Sequence, residues 1–350
     1  MTTPPFDTPS LFAEKSLAGI SLTRSESQAV LDWPDEEVLS LIAAAHRVRR
    51  AHFGARVRMN FLVNVQSGLC SEDCSYCSQS KDSTAPVEKY RFLSSEDILV
   101  QADRAVVAGA ARLCLVASMR GPGEREMASV DESVRRVKER YPDLEVCVSL
   151  GLLKEGQAER LAAAGVNAYN HNLNTSERHY KDICSTHDYA DREETVGRAK
   201  AAFLSPCSGA IFGLGESDED VLAVAFRLKE TGVDSIPINF LIPVPGTSLE
   251  KQNHLTPVRC LKILCLFRFL HPTVDLRIAG GRELHLRTLQ PLGLMVANSI
   301  FIGDYLTTKG AAAQADRDMI RDLGMHWTVL PEASSPSSLP VDIVTRSTRQ

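Results

Sequence analysis

Ser94-Ser-Glu-Asp-Ile-Leu-Val-Gln-Ala-Asp-Arg-Ala-Val-Val-Ala108 is followed, three residues on, by Arg112-Leu-Cys-Leu-Val116, so a helical pattern leads directly into a strand-type one. Ser94 and Asp97 are spaced as a capping box, and the residues after them follow helical spacing. The second stretch is a short apolar run of the kind buried in a sheet. This pairing recurs along the chain. Strands are expected at residues 60–65, 112–116, 145–150, 168–173, 206–212, 235–240, 275–279 and 298–302. Helical patterns occupy 94–108, 131–141, 155–164, 191–202, 219–231 and 257–270. Eight strands alternating with helices describe a parallel α/β protein. The count favours a closed (β/α)8 TIM-type barrel, with a doubly wound open sheet as the alternative.

Outward from this core, residues 1–55 read as an N-terminal arm and helical extension, 56–330 as the barrel, and 331–350 as a disordered tail rich in Ser, Pro and Thr. The arm is expected to be loose up to about Leu17. A helix follows, with Pro34 in its first turn, Asp35, Glu36 and Glu37 at its positive end, and Arg47, Arg49 and Arg50 at its negative end. Its apolar stripe, Val38, Leu41, Ile42, Ala45 and Val48, needs a surface to pack on.

Composition narrows the function. With 44% hydrophobic residues in 350, the chain can bury a large core, which excludes a disordered protein. Lys and Arg number 39 against 44 Asp and Glu, a formal charge of -5, and no basic run creates a nucleic-acid surface. No apolar run reaches the ~18 residues of a membrane span, and the first residues lack the features of an export signal. A soluble, cytoplasmic protein is expected. Its nine cysteines then sit in a reducing compartment and need an explanation other than disulfides.

Cys70, Cys74 and Cys77 form a C-x3-C-x2-C loop after the first strand, at the barrel end where active sites are built. Three thiolates that close together can wrap one metal centre. Zinc would want a fourth protein ligand, and no His or Cys lies nearby to complete it. A [4Fe–4S] cluster held by three cysteines instead keeps one iron open for a small molecule. Three more cysteines sit one per strand: Cys114, Cys147 and Cys207. Leu113 and Leu115, like Val146 and Val148, should face the helices, which turns Cys114 and Cys147 toward the barrel axis. The same alternation places Leu276 and Ile278 outside and Arg277 inside. Each strand cysteine alone suits a small buried hydrophobe; three together suggest a second metal centre. Arg277 by itself reads as a buried cation paired with an anion. Cys184, Cys260 and Cys265 have no such setting. His171 and His285 lack a clear partner set and read as structural.

The C-x3-C-x2-C loop, with Tyr76 before its last cysteine, resembles the radical S-adenosylmethionine (SAM) superfamily. The set Cys114, Cys147, Cys207 and Arg277 is similar to the biotin synthase family, and the similarity runs from about Trp33 to Leu306. It includes Tyr169-Asn-His-Asn-Leu-Asn-Thr-Ser176, Ile236-Pro-Ile-Asn-Phe240, Ala279-Gly-Gly-Arg-Glu283 and Ala297-Asn-Ser-Ile-Phe301. The resemblance implies a [4Fe–4S] cluster on Cys70, Cys74 and Cys77 with SAM on its open iron. It also implies a [2Fe–2S] cluster on Cys114, Cys147, Cys207 and Arg277. A 5′-deoxyadenosyl radical would abstract hydrogen from dethiobiotin, and the inner cluster would donate the sulfur of biotin.

Asn170, Asn172 and Asn174, spaced i, i+2, i+4 on a short strand, should face one way and need polar partners. The resemblance implies that Asn170 and Asn172 hold the ureido ring of the substrate, with Asn172 also near the SAM ribose and Asn174 on its hydroxyls. Many family members carry Asp at that last position. Asn keeps an acceptor and adds donors, so ribose binding should survive with altered strength. Gly209-Ala-Ile-Phe-Gly213 matches the turn beside adenine, which brings in Ile211. By the same resemblance the Ala117 backbone receives the SAM amino group. Arg192 suits the SAM carboxylate or else a solvated helix face. The resemblance also implies that Asn239 holds the ureido group and that Thr307 and Thr308 bind the substrate carboxylate. A flavodoxin- or ferredoxin-type reductant, iron–sulfur assembly proteins and a homodimer are further implications. A maturase or carbon-skeleton mutase of the same branch would lack the inner four-residue set. A non-catalytic metal scaffold would have no use for the asparagines.

Overall fold

In the computed structural model, residues 8–252 and 254–328 are described. The tail expected at 331–350 lies outside them. The barrel strands are β1 (Arg56–Gln66), β2 (Arg112–Ala117), β3 (Glu145–Ser149), β4 (Ala168–Asn170), β5 (Ser205–Cys207) with β6 (Ala210–Phe212) continuing it, β7 (Ser235–Phe240), β8 (Asp275–Ile278) and β9 (Ser299–Ile302). All pair in parallel, and β9 returns to β1 with Asn60 opposite Phe301, which closes the barrel. A short β10 (His326–Trp327) adds to the start of β1. The (β/α)8 expectation holds.

Helices cover the strands. Between β1 and β5 lie α4 (Ser95–Val107), α5 (Glu124–Arg140), α6 (Gln157–Ala163), α7 (Glu177–Ile183) and α8 (Tyr189–Ala201). Beyond β6 come α9 (Asp218–Thr231), α10 (Pro257–Leu270), α11 (Arg282–His285), α12 (Gln290–Val296) and α13 (Ala313–Asp322). Ser94 accepts from Asp97 N as the α4 cap, and Ser217 does the same from Asp220 N for α9. No described helix is long and apolar enough to cross a membrane.

The N-terminal region differs from the expected loose arm. Residues Thr8–Leu17 form α1, with Phe12 packed on Phe269 at a ring separation of 5.9 Å and Ser16 Oγ donating to the Phe269 carbonyl. Burying Phe12 outweighs the polar, proline-containing composition that suggested disorder. A capped α2 (Arg24–Leu31) follows, and α3 (Val38–Phe53) buries the expected stripe against α10 and α12.

Side-chain alternation divides the interior in two. Leu113, Leu115, Val146 and Val148 join the large core between strands and helices. Cys114, Cys147, Ala168, Ala279 and Phe301 form a separate small core inside the barrel. The N-terminal mouth is shut by charge: Glu145 accepts from Arg112 Nη2 at 2.8 Å and pairs with Arg58, while Asp275 lies 3.7 Å from Arg277.

The fifth strand is not the continuous 206–212 run expected. It breaks at Ser208 and Gly209, because Gly209 packs directly on Pro237: a Cβ there would lie 1.9 Å from the Pro237 carbonyl oxygen. The break admits the chain after β4. Asn174 N donates to Gly209 O, and Ile211 N donates to Asn174 O.

Candidate active site

The C-terminal ends of the strands open into a cavity of about 370 Å³. A second cavity of about 130 Å³ lies deeper, and the two share Leu62, Asn170, Asn172, Asn239 and Phe301 in their walls. The upper cavity meets the three-cysteine loop. The lower one meets Cys114, Cys147 and Arg277.

The loop is shaped by its own turns: Cys77 N donates to Cys74 O, and Ser80 N donates to Cys77 O. Two carboxylates moor it to the segment after α7. Asp73 accepts from Ser185 N, and Glu72 accepts from Thr186 Oγ1 and pairs with His187 and Arg120. Cys70 and Cys77 line the upper cavity, while Cys74 is buried behind it. Burial pushes the Cys70 thiol up to about 11 and raises Cys77 as well, so both hold their protons in the metal-free chain and a metal has to displace them. Three soft donors on one loop beside an open cavity fit an iron–sulfur cluster with one iron turned to a ligand.

The inner set converges from four strands. Cys114 and Cys147 are register partners, and Cys207 pairs with Asn170 across β4 and β5. Cys147 hydrogen-bonds with both Cys114 and Cys207, which raises its own pKa and lowers theirs; Arg277 and Arg112 lower them further. Arg277 is 1% exposed and points inward as the alternation requires. Its Nη1 lies 3.8 Å from Cys207 Sγ, Nη2 donates to Ser235 Oγ at 3.1 Å, and Nε donates to Ser299 Oγ at 3.3 Å. The Phe301 ring centre is 5.0 Å from the guanidinium carbon. Two buried cations beside three thiols suit an anionic sulfur-ligated group.

The three asparagines line the upper cavity, but not because they share a strand. β4 ends at Asn170, and only the loop threaded into the β5–β6 break returns Asn172 and Asn174 to the wall. Asn170 Nδ2 donates to Asn172 Oδ1 at 3.1 Å and lies 3.2 Å from Cys207 Sγ. Asn172 Oδ1 accepts from Gly209 N, and Asn174 Nδ2 donates to Tyr76 OH at 2.6 Å. Asn174 holds a left-handed φ of 71°, a conformation that Asn tolerates better than most residues. Arg192 is buried rather than solvated. It donates from Nη1 to Asn172 O at 2.8 Å and from Nε to Tyr180 OH. Asn239 Oδ1 accepts from Gly280 N at 3.0 Å. Ala117 and Ile211 also reach the cavity, and Thr307 shares a hydroxyl hydrogen bond with Ser78 beside Thr308 at its rim.

Residues 65–238 match the radical SAM superfamily, and residues 237–326 match the biotin and thiamin synthesis associated domain. Biotin synthase of Kocuria rhizophila is 53% identical over 95% of this chain and 70% of its own. Biotin synthase of Renibacterium salmoninarum is 54% identical over 91% of this chain and 94% of its own. The chain belongs to the biotin synthase family. Methylornithine synthase shares the architecture, with a TM-score of 0.78 at 19% identity over 91% of this chain and 97% of the other. The FeFe-hydrogenase maturase HydG from Carboxydothermus hydrogenoformans does so with a TM-score of 0.77 at 19% identity, over 93% and 80%. At that identity the likeness concerns the barrel alone, and the biotin synthase relatives carry the assignment.

Within this family frame, the structure places residues to which the sequence assigned no role. His171 joins the cavity wall, with Nε2 lacking a hydrogen-bond partner among the described residues. Cys184 and His187 pack against Cys74, although neither lies near it in sequence: Cys184 Sγ is 3.7 Å from Cys74 Sγ and 3.3 Å from His187 Nδ1. The C-x3-C-x2-C loop therefore does have a further Cys and His beside it. His285 Nε2 donates to the Leu241 carbonyl at 2.6 Å, and Cys260 and Cys265 are buried in α10, all consistent with packing.

Proposed function

We propose that this chain converts dethiobiotin to biotin by radical SAM sulfur insertion, with the upper cavity holding SAM and substrate and the inner thiols holding the sulfur source. Membership of the radical SAM superfamily brings a [4Fe–4S] cluster and SAM, and Cys70, Cys74 and Cys77 are the residues to hold that cluster. Cys114, Cys147, Cys207 and Arg277 would hold a [2Fe–2S] cluster. When bound, the outer group supplies the electron that cleaves SAM and the inner group supplies sulfur.

The chain's own residues bind, orient and exclude water. A cyclic urea offers one carbonyl acceptor and two N–H donors, which the amides of Asn170, Asn172 and Asn239 can match with both kinds of group. Thr307 and Thr308 offer hydroxyl and backbone donors to a carboxylate at the rim. On the SAM side, Arg192 suits the carboxylate, the Ala117 backbone the amino group, Asn172 and Asn174 the ribose, and Ile211 with Tyr76 the apolar surroundings. The apolar walls from Leu62 and Phe301 keep bulk water from the lower cavity. Arg277, fixed by two serines, neutralises the buried thiolates and keeps their geometry.

One observation carries the reading: Asn170 lines the upper cavity and also lies 3.2 Å from Cys207 Sγ, so a ligand held by its amide rests directly over the inner thiols. All nine cysteines are free, in keeping with a reducing, cytoplasmic setting. A flavodoxin- or ferredoxin-type reductant, iron–sulfur assembly proteins and a homodimeric state complete the proposal. The test is anaerobic reconstitution with iron and sulfide, then SAM, reductant and dethiobiotin. Both 5′-deoxyadenosine and biotin are expected. SAM cleavage without biotin would assign another substrate, and no cleavage would reject the enzyme reading.

A further inference from the structure

We propose that the cluster-free chain carries a zinc site formed by Cys74, Cys184 and His187, and that zinc there excludes the [4Fe–4S] cluster. The donor atoms of these three buried residues all lie within 4.8 Å of one another. Two of the three donor spacings lie close to those of one tetrahedral ion. Zinc bonds of about 2.3 Å to sulfur and about 2.0–2.1 Å to nitrogen place two sulfurs about 3.8 Å apart and a sulfur and nitrogen about 3.6 Å apart. The Cys74–Cys184 sulfur separation is 3.7 Å, and Cys184 Sγ lies 3.3 Å from His187 Nδ1.

The surroundings suit such an ion. His187 Nε2 lies 2.7 Å from Tyr180 OH, which fixes the ring and directs Nδ1 toward Cys184 and Glu72. Glu72 also reaches Nδ1, and Asp73 Oδ1 lies 3.3 Å from Cys184 Sγ, flanking the fourth position. Zinc binding releases the two thiol protons, so the two thiolates alone balance the charge of Zn²⁺ before any fourth ligand is added. Among the described residues, no other group of three His, Cys, Asp or Glu donors meets the same spacing.

Cys74 cannot serve zinc and the cluster together. Zinc thus holds the cluster-free loop in place against the 183–187 segment and has to leave before the cluster is loaded. This exclusivity rests on the cluster assignment of Cys74 made above; the zinc site itself does not.

The test uses the full-length chain, stripped of iron and titrated anaerobically with Zn²⁺ and, for a visible signal, with Co²⁺. One tight equivalent is expected, with the intense tetrahedral and thiolate-to-metal absorption of Co²⁺. Cys184→Ala and His187→Ala should each weaken zinc by at least about 100-fold, more than loss of a residue that only hydrogen-bonds a ligand does. Cys70→Ala should bind zinc as the parent does. Far-ultraviolet circular dichroism checks that each variant is folded, and the two ligand variants back each other up. Zinc kept by Cys184→Ala and His187→Ala but lost in Cys70→Ala would overturn the proposal, because the ion would then sit on the three-cysteine loop. Absence of tight binding would overturn it too. Cluster reconstitution gives a separate readout: zinc-loaded parent should gain no cluster absorbance until a chelator is added, whereas Cys184→Ala should gain it at once. One bound zinc coexisting with a full outer cluster would overturn the exclusivity alone.

Discussion

His171 faces the main cavity with Nε2 unpaired among the described residues, and burial, together with the charge of Arg192, holds its imidazole well below the usual 6.5. The folded state therefore carries it neutral. As pH falls through about 6.5, the unfolded chain takes up a proton that the folded chain refuses, so this group costs stability at about 1.4 kcal/mol per pH unit. His171→Gln should remove that share of the slope below about pH 6.5; urea unfolding at several pH values measures it, and parallel slopes would contradict it. Arg192 is a second case. Arg192→Gln strips the charged donor from Asn172 O and Tyr180 OH and should weaken SAM by about 10-fold or more, as read by equilibrium titration of the cluster-loaded protein. Unchanged SAM affinity would remove Arg192 from the SAM site. At this scale the sequence showed where Cys114, Cys147 and Arg277 point, because strand alternation is a local rule. It did not show that Cys184 reaches Cys74, since residues 110 positions apart leave no local pattern.

The break in the fifth strand does most to shape the site at the scale of elements. Gly209→Ala would drive a methyl to within 1.9 Å of the Pro237 carbonyl oxygen, and neither backbone can yield without disturbing the Asn174 bridge. A loss of about 3 kcal/mol is expected by denaturant unfolding, with weaker SAM binding; parental stability would mean that the strands part easily. Asp220, in the first turn of α9, ties this region to α7. It accepts from Ser176 Oγ, Ser217 N and Arg178, and these bonds hold its carboxyl well below the ordinary 3.8. Its contribution is complete above that ordinary value and is lost as pH falls through the depressed one. Asp220→Asn should cost about 2 kcal/mol at neutral pH and less in acid, so the difference from the parent should shrink below about pH 4. A constant difference would contradict this. Helix and strand positions were legible to within a few residues for most of the barrel. The split strand and the Thr8–Leu17 helix were not, because one depends on contact with Pro237 and the other on burial of Phe12 against a distant helix.

Barrel closure is a property of the whole molecule. β1 meets β9 across some 240 residues of chain, and only the count of strands hinted at it. Closure also places the two cavities one above the other on a single axis, with Asn170 at their junction and the charged Arg58, Arg112 and Glu145 group sealing the far end. In that arrangement radical generation and sulfur supply would occupy separate residue sets and meet at one substrate. Cys147→Ala tests this most directly. The variant, reconstituted anaerobically beside the parent, is assayed in one reaction for outer-cluster electron paramagnetic resonance, 5′-deoxyadenosine and biotin. The outer-cluster signal and SAM cleavage should be retained and biotin lost; biotin formed at the parental rate would mean that Cys147 plays no part in sulfur supply.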